Sequence, residues 1–99
     1  MSRPSLADAL ENRDAVLRAF VSADGSLKSM PTKIRKQLVV LDHVARSFAI
    51  GEQFDESEVN NRLRAFHLDV AMLRRYLVEQ EFLERRDGRY WRAGGTTEL

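Results

Sequence analysis

Four arginines crowd around one dipeptide in the last quarter of the chain. Arg85, Arg86, Arg89 and Arg92 flank Asp87-Gly88, with only Glu84 and Asp87 to offset them. Asp-Gly between two β-favouring stretches is a strong hairpin signal, because both turn residues tolerate positive φ. A two-residue loop pairs Arg86 with Arg89, Arg85 with Tyr90 and Glu84 with Trp91. Leu83 and Tyr90 then share one face with Arg85 and Arg92, and that face is expected to pack on helices. Phe82, Glu84, Arg86, Arg89 and Trp91 fall on the other. Directly opposed like charges cost stability, so the Arg86/Arg89 pair asks for a partner, and phosphate contact would supply one. Protection of a sheet edge is the plainer alternative. Trp91 could stack with Arg or contact a sugar, or simply cover the edge of the domain.

A second basic pair, Arg74 and Arg75, lies in a helical pattern spanning about 69–80. Val70, Leu73 and Leu77 set its inward direction. At 100° per residue Ala71, Met72, Arg75, Val78 and Glu79 point away, with Arg74 on the margin. Arg75 is placed to reach a base edge or phosphate, Arg74 to flank it, and the small Ala71 permits close approach to a groove. Glu79 would repel phosphate. Its spacing from Arg75 also allows an ordinary intrahelical ion pair on a solvated face. Lys33, Arg35 and Lys36 open another helix, where cations oppose the macrodipole, a weak pointer to an external anion.

Catalytic readings find little. His43 and His67 are isolated, and with no cysteine in the chain they form no recognisable metal set. His67 sits between two helices, where capping the last carbonyls of the preceding one is the expected job. Asp55 and Glu58 resemble a carboxylate pair until a capping box accounts for them. Ser57 has no base beside it, and there is no Gly-rich phosphate loop. We expect no catalytic residue, no metal and no cofactor.

The elements that carry these groups follow from periodicity and caps. One helix is expected over 5–22, with Leu6, Leu10, Leu17, Phe20 and Val21 as its stripe. Asp24-Gly25 marks a turn, after which Leu27 and Met30 lead in an extended run to Pro31. A second helix begins with Thr32 as N-cap and places Ile34, Leu38, Leu41, Val44, Ala45 and Phe48 on one face, with Arg35, Lys36 and Arg46 opposite and Gly51 ending it. A short strand is possible at Gln53-Phe54. Asp55 and Glu58 then cap a third helix, with Phe54 and Val59 in staple positions. Asp69 caps the fourth, with Leu68 and Leu73 in the equivalent positions. The link Phe66-His67-Leu68 between these two helices forces a tight corner.

Ninety-nine residues, 43% of them hydrophobic and 31% charged, suit one globular domain. No apolar run approaches the ~20 residues needed to cross a bilayer. The N-terminal residues show no signal-peptide pattern, so a cytoplasmic protein is the default. The formal net charge is only +1, with acids and bases interleaved. Bulk charge therefore cannot carry a nucleic-acid partner, and the case rests on where the arginines sit.

The stretches MPTKIRKQLVVLDHVARSF, EVNNRLRAFHLDVAMLRRYLV and LERRDGRYWR, over about residues 24–92, resemble a bacterial domain-of-unknown-function family. Its members look like winged-helix domains, alone or fused to transcriptional-regulator domains. The resemblance implies a regulator-like, nucleic-acid-associated role and carries no ligand or activity. Where such sequences tend to have Gly after the last helix, this chain has Glu81, and the helix could instead run straight into the strand.

The expected fold is mainly α with a small β-hairpin: a winged helix-turn-helix preceded by an extra N-terminal helix. Residues 1–31 form the N-terminal helix and linker, 32–92 the winged helix with its wing at 82–92, and 93–99 a flexible tail. The first functional expectation is double-stranded DNA binding, with Arg74 and Arg75 reading bases and Arg85, Arg86, Arg89 and Arg92 clamping the backbone. The N-terminal helix is the candidate for homodimer packing. The alternative is a protein-interaction module that binds no DNA.

Overall fold

A computed structural model describes residues 5–93; of the tail expected at 93–99, all but Ala93 lies outside them. The elements run α1 (Leu6–Leu10), α2 (Arg13–Phe20), α3 (Ile34–Ala45), β1 (Gln53–Asp55), α4 (Glu56–Leu63), α5 (Val70–Glu79), β2 (Leu83–Arg86) and β3 (Arg89–Arg92). The strands form one antiparallel sheet in the order β1-β3-β2. This mostly helical fold with a small sheet is compatible with a winged-helix-like arrangement.

The single helix expected over 5–22 is two. After Leu10 the chain tightens, with Glu11 N–H bonding to the Asp8 carbonyl and Asn12 N–H to that of Ala9. Asn12 then leaves helical geometry at φ −107°, ψ 23°. Asparagine is a poor interior helix residue, because its side chain competes for backbone groups. The break lets Ala9 and Val16 become the buried residues, while Leu6, Leu10, Leu17, Phe20 and Val21 are half-buried against the same core. Asp24-Gly25 turns as expected: the Asp24 carboxylate accepts from Ser26 N–H and Oγ, and Val21 bridges Leu27.

Helix α3 is the centre of the molecule. Its N-cap is Lys33 rather than Thr32, and it ends at Ala45, with Phe48 buried beyond it in the following turn. One apolar face was expected, yet Val39 and Val40 are as buried as Leu38 and Leu41. The reason is that α1 and α2 pack on α3 as well as α5, and a helix covered on several sides needs apolar residues around most of its circumference. Asp42 is the one buried charged residue among those described, paired at 2.9 Å with Arg46 one turn on.

Both caps of the helix pair form. Asp55 accepts from Glu58 N–H at 2.8 Å while Glu58 Oε1 accepts from Asp55 N–H, completing the capping box. Asp69 accepts from Met72 N–H at 3.0 Å. Phe54 and Val59 are buried as a staple requires, but Leu68 is 96% exposed and staples nothing. A tight turn directs it outward: Val70 N–H bonds to the Leu68 carbonyl, and His67 Nδ1 accepts from Asp69 N–H at 2.9 Å. The His67 side chain thus orders the corner rather than capping the α4 carbonyls.

At the end of α5, Glu81 adopts φ 65°. Phe82 N–H bonds to the Leu77 carbonyl and Glu81 N–H to that of Val78, the two bonds of a Schellman ending. The helix therefore stops in the left-handed conformation even without glycine. Phe82, expected on the outer sheet face, is buried because it belongs to this ending rather than to the strand alternation.

Candidate nucleic-acid interface

The hairpin has the expected register: Leu83 pairs with Arg92, Glu84 with Trp91, Arg85 with Tyr90 and Arg86 with Arg89. Asp87 and Gly88 take φ 53° and 77°, positive at both central residues as a type I′ turn requires. Leu83 and Tyr90 are buried, and Trp91 Nε1 donates across the strand pair to Glu84 Oε2 at 2.8 Å.

The four hairpin arginines divide. Arg86 and Arg89 are exposed at the tip, and the Arg86 Nε lies 3.9 Å from Asp87 with both side chains largely solvated. Because β3 is the middle strand, Arg89 has Arg86 on one side and Asp55 on the other. The Asp55 side chain is itself engaged as the N-cap of α4. Arg85 is exposed, its guanidinium 5.8 Å from the Tyr90 ring centroid. Arg92 is half-buried and donates to the Phe48 carbonyl at 3.3 Å, tying the hairpin base to the segment after α3.

The arginines of α5 divide as well. Arg75 is exposed, with Nε 3.9 Å from Glu79 Oε1 in the expected intrahelical pair. Arg74, whose side chain is 23% exposed, turns toward α4: it hydrogen-bonds Asn60 Oδ1 and lies 3.8 Å from Glu56 Oε1. The same Glu56 oxygen accepts from the Tyr90 hydroxyl at 3.0 Å. Burial, then the bond to Glu56, pushes that hydroxyl above its ordinary titration range, so it remains a donor. Of the outward set, Ala71 is exposed while Met72 and Val78 are half-buried against the core.

Ala71, Arg74, Arg75, Val78 and Glu79 of α5 meet Arg85 and Tyr90 of the hairpin along a shallow cleft of about 170 Å³. Helix face and hairpin thus share one surface, and three of the six proposed arginines line it. Lys33, Arg35 and Lys36 are exposed at the start of α3, with Lys36 Nζ 5.9 Å from the Phe20 ring. The roles of Glu56 and Asn60 were not read from sequence; the available cue was Arg74 at the margin of its helix's apolar face. Arg62 was missed too. It donates to the Ser47 carbonyl at 2.7 Å and its guanidinium sits 4.7 Å from the Phe54 ring centroid. Among the described residues no group of three or more His, Cys, Asp or Glu could hold a metal ion, and no helix is long and apolar enough to cross a membrane.

The family model described as "Uncharacterized protein conserved in bacteria (DUF2087)" matches residues 26–92. The chain belongs to this family. The match runs from the Leu27 segment to the end of β3, so the DUF2087 unit contains α3, the capped helix pair and the hairpin, while α1 and α2 precede it. No curated protein and no solved structure matches the chain significantly.

Proposed function

We propose that this DUF2087 domain is a non-catalytic, winged-helix binder of double-stranded DNA, acting as a transcriptional regulator. In this reading α4 and α5 are the helix-turn-helix, α5 enters the major groove, and β2–β3 is the wing. The observation that carries it is the shared surface: Ala71 and Arg75 of α5 and Arg85 of the hairpin line one cleft. Arg86 and Arg89 extend from the hairpin tip as further phosphate contacts. Arg75 is the base-reading candidate with the freest side chain.

The modest charge sets the expected strength of the electrostatic contribution. Three exposed hairpin arginines, Arg85, Arg86 and Arg89, each neutralising one phosphate, give a slope of about −2.7 in log K against log salt. Fluorescence-anisotropy titrations against duplex DNA at several salt concentrations test this. Absence of binding at low salt would sink the proposal.

A docking role toward an acidic protein is the second reading. It is favoured by Glu79 beside Arg75 and Asp87 beside Arg86, which break up the basic surface, and by the solvent-facing Leu68. Recovery of a stoichiometric protein partner free of nucleic acid supports this reading against the first. A homodimer through α1 and α2 belongs to the DNA proposal, drawing on the half-buried Leu6, Leu10 and Leu17. Sedimentation equilibrium at rising concentration tests it.

A further inference from the structure

Arg74 turns its guanidinium toward α4. It is bonded to Asn60 and paired with Glu56, both on α4, and Glu56 in turn holds the Tyr90 hydroxyl of β3. One arginine on α5 is thereby joined through α4 to β3, the middle strand of the sheet. Two hydrogen bonds joined by an ion pair at 3.8 Å resist relative rotation of the elements they link, because each partner favours one placement of the next. Arg75, the next residue, has its ion pair with Glu79 and its ring contact with Tyr76 on its own helix.

We propose that Arg74 is a positioning residue: with Asn60, Glu56 and Tyr90 it sets the angle between α5 and the hairpin, and so the placement of Arg75 relative to Arg85. This assigns Arg74 a role different from base reading, and it rests on the DNA-binding proposal only for its consequence in affinity. A guanidinium shared between Asn60 and Glu56 is not available as a free fork for a base edge. Tyr90 serves the same arrangement from the other side. Its ring is buried in the core, and its hydroxyl reaches out to the carboxylate that Arg74 also engages.

The test has two arms on the full chain, using Arg74→Met and, as a gentler break in the same chain of bonds, Tyr90→Phe. Residual dipolar couplings report the orientation of α5 relative to β2–β3 without any ligand. Both variants should reorient or loosen the hairpin against α5 while leaving couplings within each element unchanged, and Arg74→Lys should restore part of the native orientation. Couplings identical to the parent in both variants overturn the proposal. In the second arm, duplex affinity is measured across salt. Arg74→Met should lower affinity by the same factor at every salt concentration, whereas Arg86→Ala, at a phosphate contact of the hairpin tip, should reduce the salt slope by about one unit. A slope reduction in Arg74→Met equal to that of Arg86→Ala makes Arg74 a phosphate contact and overturns the proposal. If the parent chain binds no duplex, the DNA reading falls, and the dipolar couplings alone decide the role of Arg74.

Discussion

Glu81 occupies a backbone conformation that suits glycine. Its φ of 65° brings the Cβ close to the carbonyl oxygen, and the two bonds of the helix ending hold it there. Substitution Glu81→Gly relieves the crowding and should stabilise the domain by about 1 kcal/mol. A thermal melt should then shift upward by about 4–8 °C for a domain of this size. A lowered melting temperature would show that the Glu81 side chain itself contributes to the fold. His43 is a second residue whose environment sets its behaviour. Burial, then the nearby Arg13 guanidinium, lowers its pKa from the ordinary value of 6.5, against a smaller opposing pull from Asp42. It also stands edge-on to Phe66, with ring centroids 6.1 Å apart. A histidine with a depressed folded pKa binds fewer protons folded than unfolded, so stability rises with pH between the folded pKa and 6.5. This contribution is fully present above 6.5 and is lost as pH falls through the folded value. Urea unfolding across this window should show that slope in the parent and a flatter profile in His43→Gln.

At the scale of elements, the helix pair shows how similar patterns reach different outcomes. Phe54/Val59 and Leu68/Leu73 occupy the same positions relative to their caps. The first pair closes because β1 is held in the sheet by β3, which brings Phe54 against the core. The second fails because the chain before α5 is a tight turn governed by the His67–Asp69 bond, and Leu68 swings into solvent. Leu73→Ala should therefore cost about 2–5 kcal/mol of unfolding free energy, while Leu68→Ser should change it by less than about 0.5 kcal/mol. Chemical denaturation of both variants measures the contrast; comparable losses would restore Leu68 to the core. The N-terminal segment makes the same point. Periodicity supports a continuous helix over 5–22, but the break at Asn12 is a matter of how two short helices reach α3 together.

Across the whole molecule, a net charge of +1 coexists with a surface on which Arg75, Arg85, Arg86 and Arg89 are exposed. The DNA proposal places the electrostatic effect at the hairpin tip. Arg86→Ala combined with Arg89→Ala should leave the melting temperature nearly unchanged, because both side chains are solvated, and should reduce the salt slope of duplex binding by about two units. An unchanged slope would remove the hairpin from the interface. The sequence alone determined what depends on neighbours along the chain: the Asp55 and Asp69 caps, the Asp24-Gly25 turn, and the hairpin register, since Asp87-Gly88 leaves only one way to pair the flanking residues. It also marked α3 as the core helix, because apolar residues recur at steps of three or four from Ile34 to Phe48. The tertiary structure decided which arginines face solvent. Arg74 and Arg75 are adjacent and chemically identical, and only the position of α4 beside α5 commits one to Glu56 and Asn60 and leaves the other exposed. Likewise only the strand order β1-β3-β2 brings Asp55 beside Arg89 and the Phe48 carbonyl within reach of Arg92. Local signals act over a few residues, whereas a charge's partners are set by contacts between distant segments, which no spacing in the sequence encodes.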